Sequence, residues 1–365
     1  MATFKRCEEC GVPEQIAVER QWLNSGVVVQ RGNIMQRTGF IESANLGPLY
    51  AGIAEIIGIP IDNLIVESTR KGGGRYVRGI LPPQIQEAVR DGSLALEPII
   101  AVLLATAEVS GYGRCEQVGL RYDTGAELSL EAHAGDFVTL RIENPYSIAP
   151  VVGVFTGATE AVTGLPFRAD YQETGANTYD IKISVGEHAI ESGERLEAHA
   201  YDYREGDIVL EPCSTCGLPR ALAAYKWDDD QGTITDTRKG RRMVGVGPYV
   251  MDPLFKELEE ELGDAIPRAV VESQRRFVKS GFYSVDEVRD FDAFRAELAL
   301  KGMGNLRELE LGPEGLRMRI ENADCYLMMV GLMQGIFELA RGVDSEVEWE
   351  LSQEGDLQIQ VTPKK

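Results

Sequence analysis

The chain has 365 residues, 44% of them hydrophobic and 26% charged, which is typical of a globular protein with room for two domains. Asp and Glu outnumber Lys and Arg by 58 to 37, which gives a net charge of −21. This balance disfavours binding to nucleic acid or to an anionic membrane surface, since both require a basic patch.

The sequence contains no candidate for a membrane span or an export signal. Its longest strongly apolar stretch, residues 99–107, is less than half of the roughly 20 residues that a membrane helix needs. No apolar run follows the basic residues near the N-terminus. We therefore expect a cytoplasmic protein, whose six cysteines are thiols or metal ligands rather than structural disulfides.

A Cys-x-x-Cys-Gly turn lies near the start of the chain, at Cys7 and Cys10, and a second turn of this kind lies at Cys213 and Cys216. Each turn places two thiolates on one side of a tight loop, and together the two turns supply a tetrahedral ligand set that suits Zn²⁺. We expect one zinc ion between the two turns. Three alternatives remain open: a redox-active dithiol in each turn, an iron–sulfur cluster on the same four ligands, and unreactive thiols.

The hydrophobic patterns predict the same order of elements twice. In the second half they predict a hairpin at 220–236, helices at 251–262, 270–279 and 284–300, a hairpin at 306–320, an apolar helix at 324–341 and a terminal hairpin around 354–356. The first half begins with a hairpin at 15–31 and has extra strands around 117–142 and a buried helix at 147–162. The predicted fold class is α+β, with antiparallel hairpins packed on a helical layer in each half.

Sequence matches between the halves indicate a duplication. The matching pairs are Trp22 and Trp227, Leu49-Tyr50 and Leu254-Phe255, Glu67-Ser68 and Glu272-Ser273, and Arg141 to Asn144 with Arg319 to Asn322. The offset is 205 at first and 178 later, so the first copy carries an insertion, near 110–140. We place the first domain at 1–190 and the second at 205–365, joined by the polar segment 186–205.

Three consecutive glycines, Gly72 to Gly74, stand in the first copy where the second has Phe277 to Lys279. Such a run costs a helix roughly 2–3 kcal/mol, so we expect the helix to break there. The run is flanked by basic residues. It is either a solvated surface loop or a cradle of backbone N–H groups for a phosphate or carboxylate.

Two acid–base pairs occur at equivalent positions, Glu67 with Arg70 and Glu272 with Arg275. Their i, i+3 spacing on predicted helices fits either an ion pair or a polar clamp at the mouth of a ligand cavity. Both interpretations remain open for each pair.

A methionine-rich stripe that includes Met329 and Met333 lies on the apolar helix of the second copy. Such a stripe lines a pocket for an apolar ligand, or it belongs to the core or to an interface between the copies. The sequence has no GxSxG, HExxH or GxGxxG motif, so a catalytic function is disfavoured.

The order of elements resembles the 4-vinyl-reductase or hydrocarbon-binding domain family, which is distantly similar to the TRAPP vesicle-tethering subunits. The residues that carry the resemblance are Pro253-Leu254-Phe255, Glu272-Ser273, Arg276, Asn322, Cys325, Gly331, Gly335 and Gly355-Asp356 in the second copy, and Pro48, Glu67-Ser68, Lys71, Asn144, Gly153 and Gly157 in the first. The resemblance implies an α+β ligand sensor or scaffold that pairs through its helices. Two copies in one chain then form an internal pseudo-dimer. Of the cysteines through which some members bind zinc near the last helix, only Cys325 is present.

The sequence therefore predicts a non-catalytic sensory or scaffold protein with an interdomain four-cysteine zinc site. Its partners would be a small apolar or carboxylate-bearing molecule or another protein, and it could form homo-oligomers. Two further functions remain open: a redox or metallocofactor accessory subunit, and an assembly subunit of a larger complex.

Overall fold

The computed structural model describes residues 4–124, 127–188, 203–246 and 248–364. Most of the predicted linker, residues 189–202, lies outside the described residues. Within them the chain is an α+β protein of ten α-helices and fourteen strands, and all strand pairs are antiparallel. The predicted fold class is confirmed.

The two halves share an order of elements, except that α1 and α4 of the first half have no α-helical counterpart in the second. The first half contains α1 (Glu14–Glu19), β1 (Arg20–Trp22), β2 (Val28–Gln30), β3 (Asn33–Glu42), α2 (Ser43–Ile57), α3 (Asp62–Ile80), α4 (Pro83–Arg90), α5 (Leu96–Val109), β4 (Arg114–Arg121), β5 (Phe137–Glu143), α6 (Ile148–Thr163), β6 (Phe167–Gly175) and β7 (Thr178–Val185). The second half contains β8 (Tyr225–Asp228), β9 (Thr233–Asp236), β10 (Arg241–Val246), α7 (Pro248–Leu262), α8 (Ile266–Phe277), α9 (Phe291–Lys301), β11 (Asn305–Gly312), β12 (Gly315–Glu321), α10 (Tyr326–Arg341), β13 (Ser345–Leu351) and β14 (Leu357–Pro363).

Two four-stranded sheets share one topology, with the orders β4-β5-β7-β6 and β11-β12-β14-β13. Their strands alternate apolar and polar residues, and in β5 the side chains of Val138, Leu140 and Ile142 are buried while the residues between them are more exposed. This alternation turns one face of each sheet toward helices, with α6 packed on the first sheet and α10 on the second.

The hairpin predicted at 15–31 begins later than expected, at Arg20. Residues Glu14–Glu19 form α1 instead, because Pro13 precedes them with the backbone angles of a helix start. Residues Arg220–Ala224 form a short 3₁₀ turn after Pro219 in the same way. The paired strands therefore begin at Arg20 and Tyr225.

A third sheet of six strands joins the halves, in the order β1-β2-β3-β10-β9-β8. Its central pair, β3 and β10, places Phe40 opposite Gly245 and Ile41 opposite Val244. Phe40 and Gly245 differ by 205 positions, which is the offset of the sequence matches. The register of this strand pair is therefore symmetric about an approximate local two-fold axis between these two residues.

Each half sends its N-terminal segment onto the other half. The first N-terminal segment (residues 4–57) packs on the second core unit (266–363), and the second N-terminal segment (203–262) packs on the first core unit (62–188). The indole Nε1 of Trp22 donates to the carbonyl of Leu300 at 2.9 Å, and that of Trp227 donates to the carbonyl of Val109 at 2.9 Å.

Two arginines repeat this exchange. Arg37 donates to the carbonyls of Gly302 and Asn322 at 2.7 Å each, and Arg242 donates to the carbonyl of Asn144 at 2.6 Å. Asn144 and Asn322 both have a positive φ, of 52° and 54°. Asn tolerates this conformation better than most residues, so the repeated asparagine fits a turn that presents its carbonyl to an arginine of the other half.

The expected helix break at the three glycines is wrong, because α3 runs unbroken from Asp62 to Ile80. The glycines lie where α3 crosses α6. A Cβ atom on Gly73 would lie 2.8 Å from the Cα of Val154, and one on Gly157 would lie 1.8 Å from the carbonyl oxygen of Arg70. The two helix backbones thus approach closely, and that packing offsets the poor helix propensity of glycine. The amides belong to a helix, so the predicted anion cradle is wrong too.

We expect Gly157→Ala to lower the free energy of unfolding by about 3 kcal/mol, since neither helix backbone can move without losing its packing. Gly47→Ala is the matched control, because a Cβ atom there meets nothing within 4 Å and alanine favours the helix. Urea unfolding followed by circular dichroism measures both. Equal stability of the two variants would contradict a close helix crossing.

Candidate metal centre and ligand cavity

The two Cys-x-x-Cys-Gly turns have the same backbone geometry. The amide of Gly11 donates to the carbonyl of Cys7 at 2.9 Å, and the amide of Gly217 donates to that of Cys213 at 3.0 Å. Both glycines have φ near +70°, a conformation that glycine adopts without strain. Each turn thereby directs its two sulfur atoms to one side.

The four sulfurs meet across the approximate two-fold axis. The Sγ atoms of Cys7 and Cys213 are 3.7 Å apart, and those of Cys10 and Cys216 are 3.6 Å apart. All four ligand atoms lie within 4.8 Å of one another. A tetrahedral site with zinc–sulfur bonds of about 2.3 Å has sulfur–sulfur edges of about 3.8 Å. The group predicted from the sequence is therefore assembled by the fold, and it could hold a metal ion.

Electrostatics around the sulfurs favours a bound cation. The backbone N–H of Cys10 lowers the pKa of Cys7 to about 7, whereas burial raises the pKa values of Cys10 and Cys216. Four thiolates this close repel one another unless a positive ion lies between them. A bound metal reverses the effect of burial, because a coordinated thiol loses its proton.

Contacts at the rim also join the two turns. Glu9 accepts hydrogen bonds from the hydroxyls of Ser214 (2.5 Å) and Thr215 (2.9 Å), which lower its pKa to about 2. Arg6 forms an ion pair with Asp229 at 2.6 Å. Every one of these contacts joins the first half of the chain to the second.

The two predicted acid–base pairs form ion pairs, each extended by a second glutamate. Arg70 contacts Glu67 at 2.9 Å through Nε and Glu160 at 2.5 Å through Nη1. These contacts tie α3 to α6.

The corresponding network lies in the second core unit. Arg275 contacts Glu272 at 2.7 Å and Glu338 at 2.6 Å, which ties α8 to α10. Among the described residues, none of Glu67, Arg70, Glu272 and Arg275 lines the cavities discussed below. Their role in binding a ligand stays a prediction.

Met329 lines a cavity of about 70 Å³ in the second core unit, between α8, α9 and α10, whereas Met333 is fully buried away from its wall. The cavity also has a charged side. The buried ammonium of Lys301 donates to Glu42 at 2.7 Å and to Glu297 at 2.6 Å, so its charge is neutralised within the chain. We refer to this space as the second cavity.

A polar cluster that the sequence patterns did not indicate lies where three segments meet. Asp252, Asp324 and Cys325 place a ligand atom each within 4.8 Å of one another, and Arg37 lies 3.6 Å from Asp324. Burial and the charge of Asp324 raise the pKa of Asp252 to about 8. Only the fold brings Arg37 and Asp252 to the adjacent residues Asp324 and Cys325, because these three segments lie far apart in the sequence.

No family model matches the chain, and no curated protein matches it. Solved structures with partial similarity are H-NOX proteins. One is a mutant from T. Tengcongensis (16% identity, TM-score 0.24, 32% of this chain and 73% of that chain), and another is an Fe(II) unliganded mutant from K. algicida (11% identity, TM-score 0.23, 32% and 72%). TM-scores of this size carry no argument about this chain.

Among the described residues, no helix is long and apolar enough to cross a membrane.

The raised pKa of Asp252 predicts a pH-dependent stability. Its protonated form contributes stability that is complete below the ordinary pKa of 3.8 and is lost as the pH rises through about 8. Asp252→Asn cannot ionise, so relative to wild type it should gain at least about 1 kcal/mol between pH 5 and pH 9. Urea unfolding at both pH values measures this, with exposed Asp264→Asn as the control. The same pH slope in both variants would show that Asp252 is ionised in the folded protein.

Proposed function

We propose that this chain is a non-catalytic small-molecule-binding protein, acting as a sensor or scaffold, whose halves are joined by zinc at the four cysteines. The observation that carries the zinc site is the set of sulfur–sulfur distances, 3.6 and 3.7 Å, which match the edges of a single-ion tetrahedron. In this site zinc would supply structural stabilisation, since all four ligands come from the protein and no position is left for substrate.

The sulfur spacing favours one ion over an iron–sulfur cluster. In a cluster the cysteines bind different irons, so their sulfurs lie farther apart than when all four bind one ion. The spacing also disfavours a pair of independent redox dithiols, since each sulfur has a near neighbour in the other turn. Cysteines that bind a metal as thiolates must first stay reduced, as they do in a reducing compartment, which supports our proposal of a cytoplasmic location.

An internal duplication with pseudo-dimeric symmetry is part of this proposal. It is supported by the shared strand order of the two four-stranded sheets, by the pairing of Phe40 with Gly245, and by the exchanged tryptophan and arginine contacts. The domain limits, the resemblance to the 4-vinyl-reductase family and the formation of homo-oligomers stay predictions.

Ligand binding is supported by a partly open cavity in each core unit. The second cavity lies between helices and has Met329 and other apolar side chains on its wall. Helix-enclosed cavities with a few polar groups are the usual form of a small-molecule site.

Elemental analysis of the protein purified without added metal tests the zinc site. We expect one zinc per chain, and no zinc in the double variant Cys7→Ser with Cys213→Ser. Structural zinc contributes an apparent free energy of about 10–16 kcal/mol, so the double variant should also melt about 10 °C lower or more.

Cys115→Ser is the matched control, since Cys115 lies outside the four-sulfur group. It should keep its zinc. If the wild-type protein contains iron and absorbs strongly in the visible range, the four cysteines hold an iron-based redox cofactor and the zinc proposal is wrong. A metal-free wild-type protein whose melting temperature matches the double variant would overturn the site altogether.

A further inference from the structure

A partly open cavity of about 90 Å³, which the sequence patterns did not indicate, lies at the first core unit. It lies between α3, α5 and α6 and is closed by β3 and by Arg20 of β1. Most of its wall is apolar, and the apolar residues include Val77, Leu103, Ala107, Val154, Phe155 and Ala158. We refer to it as the first cavity.

Two buried cations, Arg20 and Arg37, border this apolar space, and Arg37 has the carboxylate of Asp324 at 3.6 Å. Arg20 lines the first cavity and is only 5% exposed. Its Nη2 donates to the hydroxyl of Ser110 at 2.7 Å, and its guanidinium lies 5.1 Å from the centre of the Phe40 ring. Its Nη1 has no hydrogen-bond partner. No carboxylate of the described residues lies within 4.0 Å of the Arg20 guanidinium.

A buried guanidinium without an anion is costly. Arginine stays protonated in proteins, so Arg20 cannot avoid the cost by losing its charge. Burial of an unpaired charge is unfavourable by several kcal/mol in general, and buried charges are accordingly paired or bound to a ligand. The contacts with Ser110 and Phe40 supply neutral partners only.

The second cavity shows what the first one lacks. The halves can be aligned at Gly113 and Gly304, which follow α5 and α9. These glycines have φ of +123° and +116°, and a Cβ atom on either would lie 2.5 Å from a backbone oxygen, that of Glu143 or of Glu321. In this alignment the two cavities occupy equivalent places. The offset of 191 between these glycines pairs Ser110 with Lys301 and Thr106 with Glu297.

In the second cavity the cation Lys301 is neutralised by Glu297 and by Glu42. In the first cavity, Thr106 stands where Glu297 would be, and Arg20 is the cation without a carboxylate at ion-pair distance among the described residues. The charge is therefore balanced by the chain itself in one cavity and left unbalanced in the other.

From this asymmetry we infer that the first cavity binds a small amphiphilic carboxylate, with Arg20 as the anchor of its carboxylate group. This inference rests on the proposed ligand-binding function and specifies the site and the ligand class. Because Arg37 is paired with Asp324, one unpaired cation remains beside an apolar wall. It fits one negative charge on an apolar body, and the guanidinium matches the two oxygens of a carboxylate. The volume has room for roughly six to nine non-hydrogen atoms.

Arg20 belongs to the first N-terminal segment, whereas most of the cavity wall belongs to the first core unit. A bound ligand would therefore contact both parts of the chain. Gly245 of β10 also borders the site, and a Cβ atom there would lie 2.9 Å from Nη1 of Arg20. Occupation of the first cavity therefore contacts both strands next to the approximate two-fold axis. This position would let a bound ligand stabilise the central sheet.

Calorimetric titration of the full chain with 3-methylbutanoate and benzoate, each beside its neutral amide, tests the inference. We expect the carboxylates to bind and to raise the melting temperature, and the amides to bind about 10- to 100-fold more weakly. Arg20→Met should lose this preference for the carboxylate. Arg168→Met, which removes an exposed arginine of the same unit, should leave binding unchanged.

A second variant guards against a folding defect in Arg20→Met. Thr106→Glu copies the carboxylate that Glu297 supplies in the second cavity, so it should pair with Arg20 and abolish carboxylate binding while the protein keeps its zinc and its melting temperature. Unchanged carboxylate binding in both variants would overturn the role of Arg20.

The outcomes separate the two proposals. If the amides bind as tightly as the carboxylates, the chain binds small molecules as proposed but the anionic class is wrong. If neither carboxylates nor amides bind, the inference fails, and ligand binding must then be sought in the second cavity. Zinc content is measured independently and does not depend on either result.

Discussion

The antiparallel pairing of β3 with β10 is the interaction on which the rest of the structure depends. It joins two three-stranded ribbons into one sheet and places Phe40 opposite Gly245, at an approximate local two-fold axis of the strand pair. Once this register is set, the two cysteine turns face each other at sulfur–sulfur distances of 3.6 and 3.7 Å. The indole and guanidinium contacts that cross between the halves follow from the same register. A slip of one residue would turn the side chains of β3 and β10 to the opposite faces of the sheet.

Because each N-terminal segment packs on the other half, many buried polar groups form hydrogen bonds with partners far away in the sequence. Arg37 is buried against carbonyls of the second core unit, and Arg242 contacts the equivalent carbonyls of the first. Buried backbone carbonyls need donors, and a guanidinium satisfies several of them at once. The zinc ion that we propose at the cysteines would join the two segments to each other near their N-terminal ends.

The two core units diverge where a ligand would be held. Their ion-pair networks are nearly identical, with Arg70 between Glu67 and Glu160 and Arg275 between Glu272 and Glu338. Their cavities differ in charge, because Lys301 has two carboxylate partners whereas Arg20 has none within ion-pair distance among the described residues. This difference fits our proposal, in which the first core unit binds a ligand anion and the second core unit balances its buried charge with its own carboxylates.

The sequence by itself determined the α+β class, most helices and hairpins of the second half and the four cysteines, because these depend on local periodicity and on spacing along the chain. It also located both acid–base pairs, since partners three residues apart on a helix are neighbours in any fold. The prediction at Gly72 to Gly74 was wrong. The low helix propensity of glycine is a local property of the sequence, but the close contact with α6 that compensates for it is not. Only the tertiary structure decided which half each N-terminal segment covers, and therefore that the sulfurs meet, that Asp252 lies beside Asp324, and that Arg20 reaches an apolar cavity without an acidic partner. Such contacts join residues tens to hundreds of positions apart, and no local pattern records the register of β3 and β10 that brings them together.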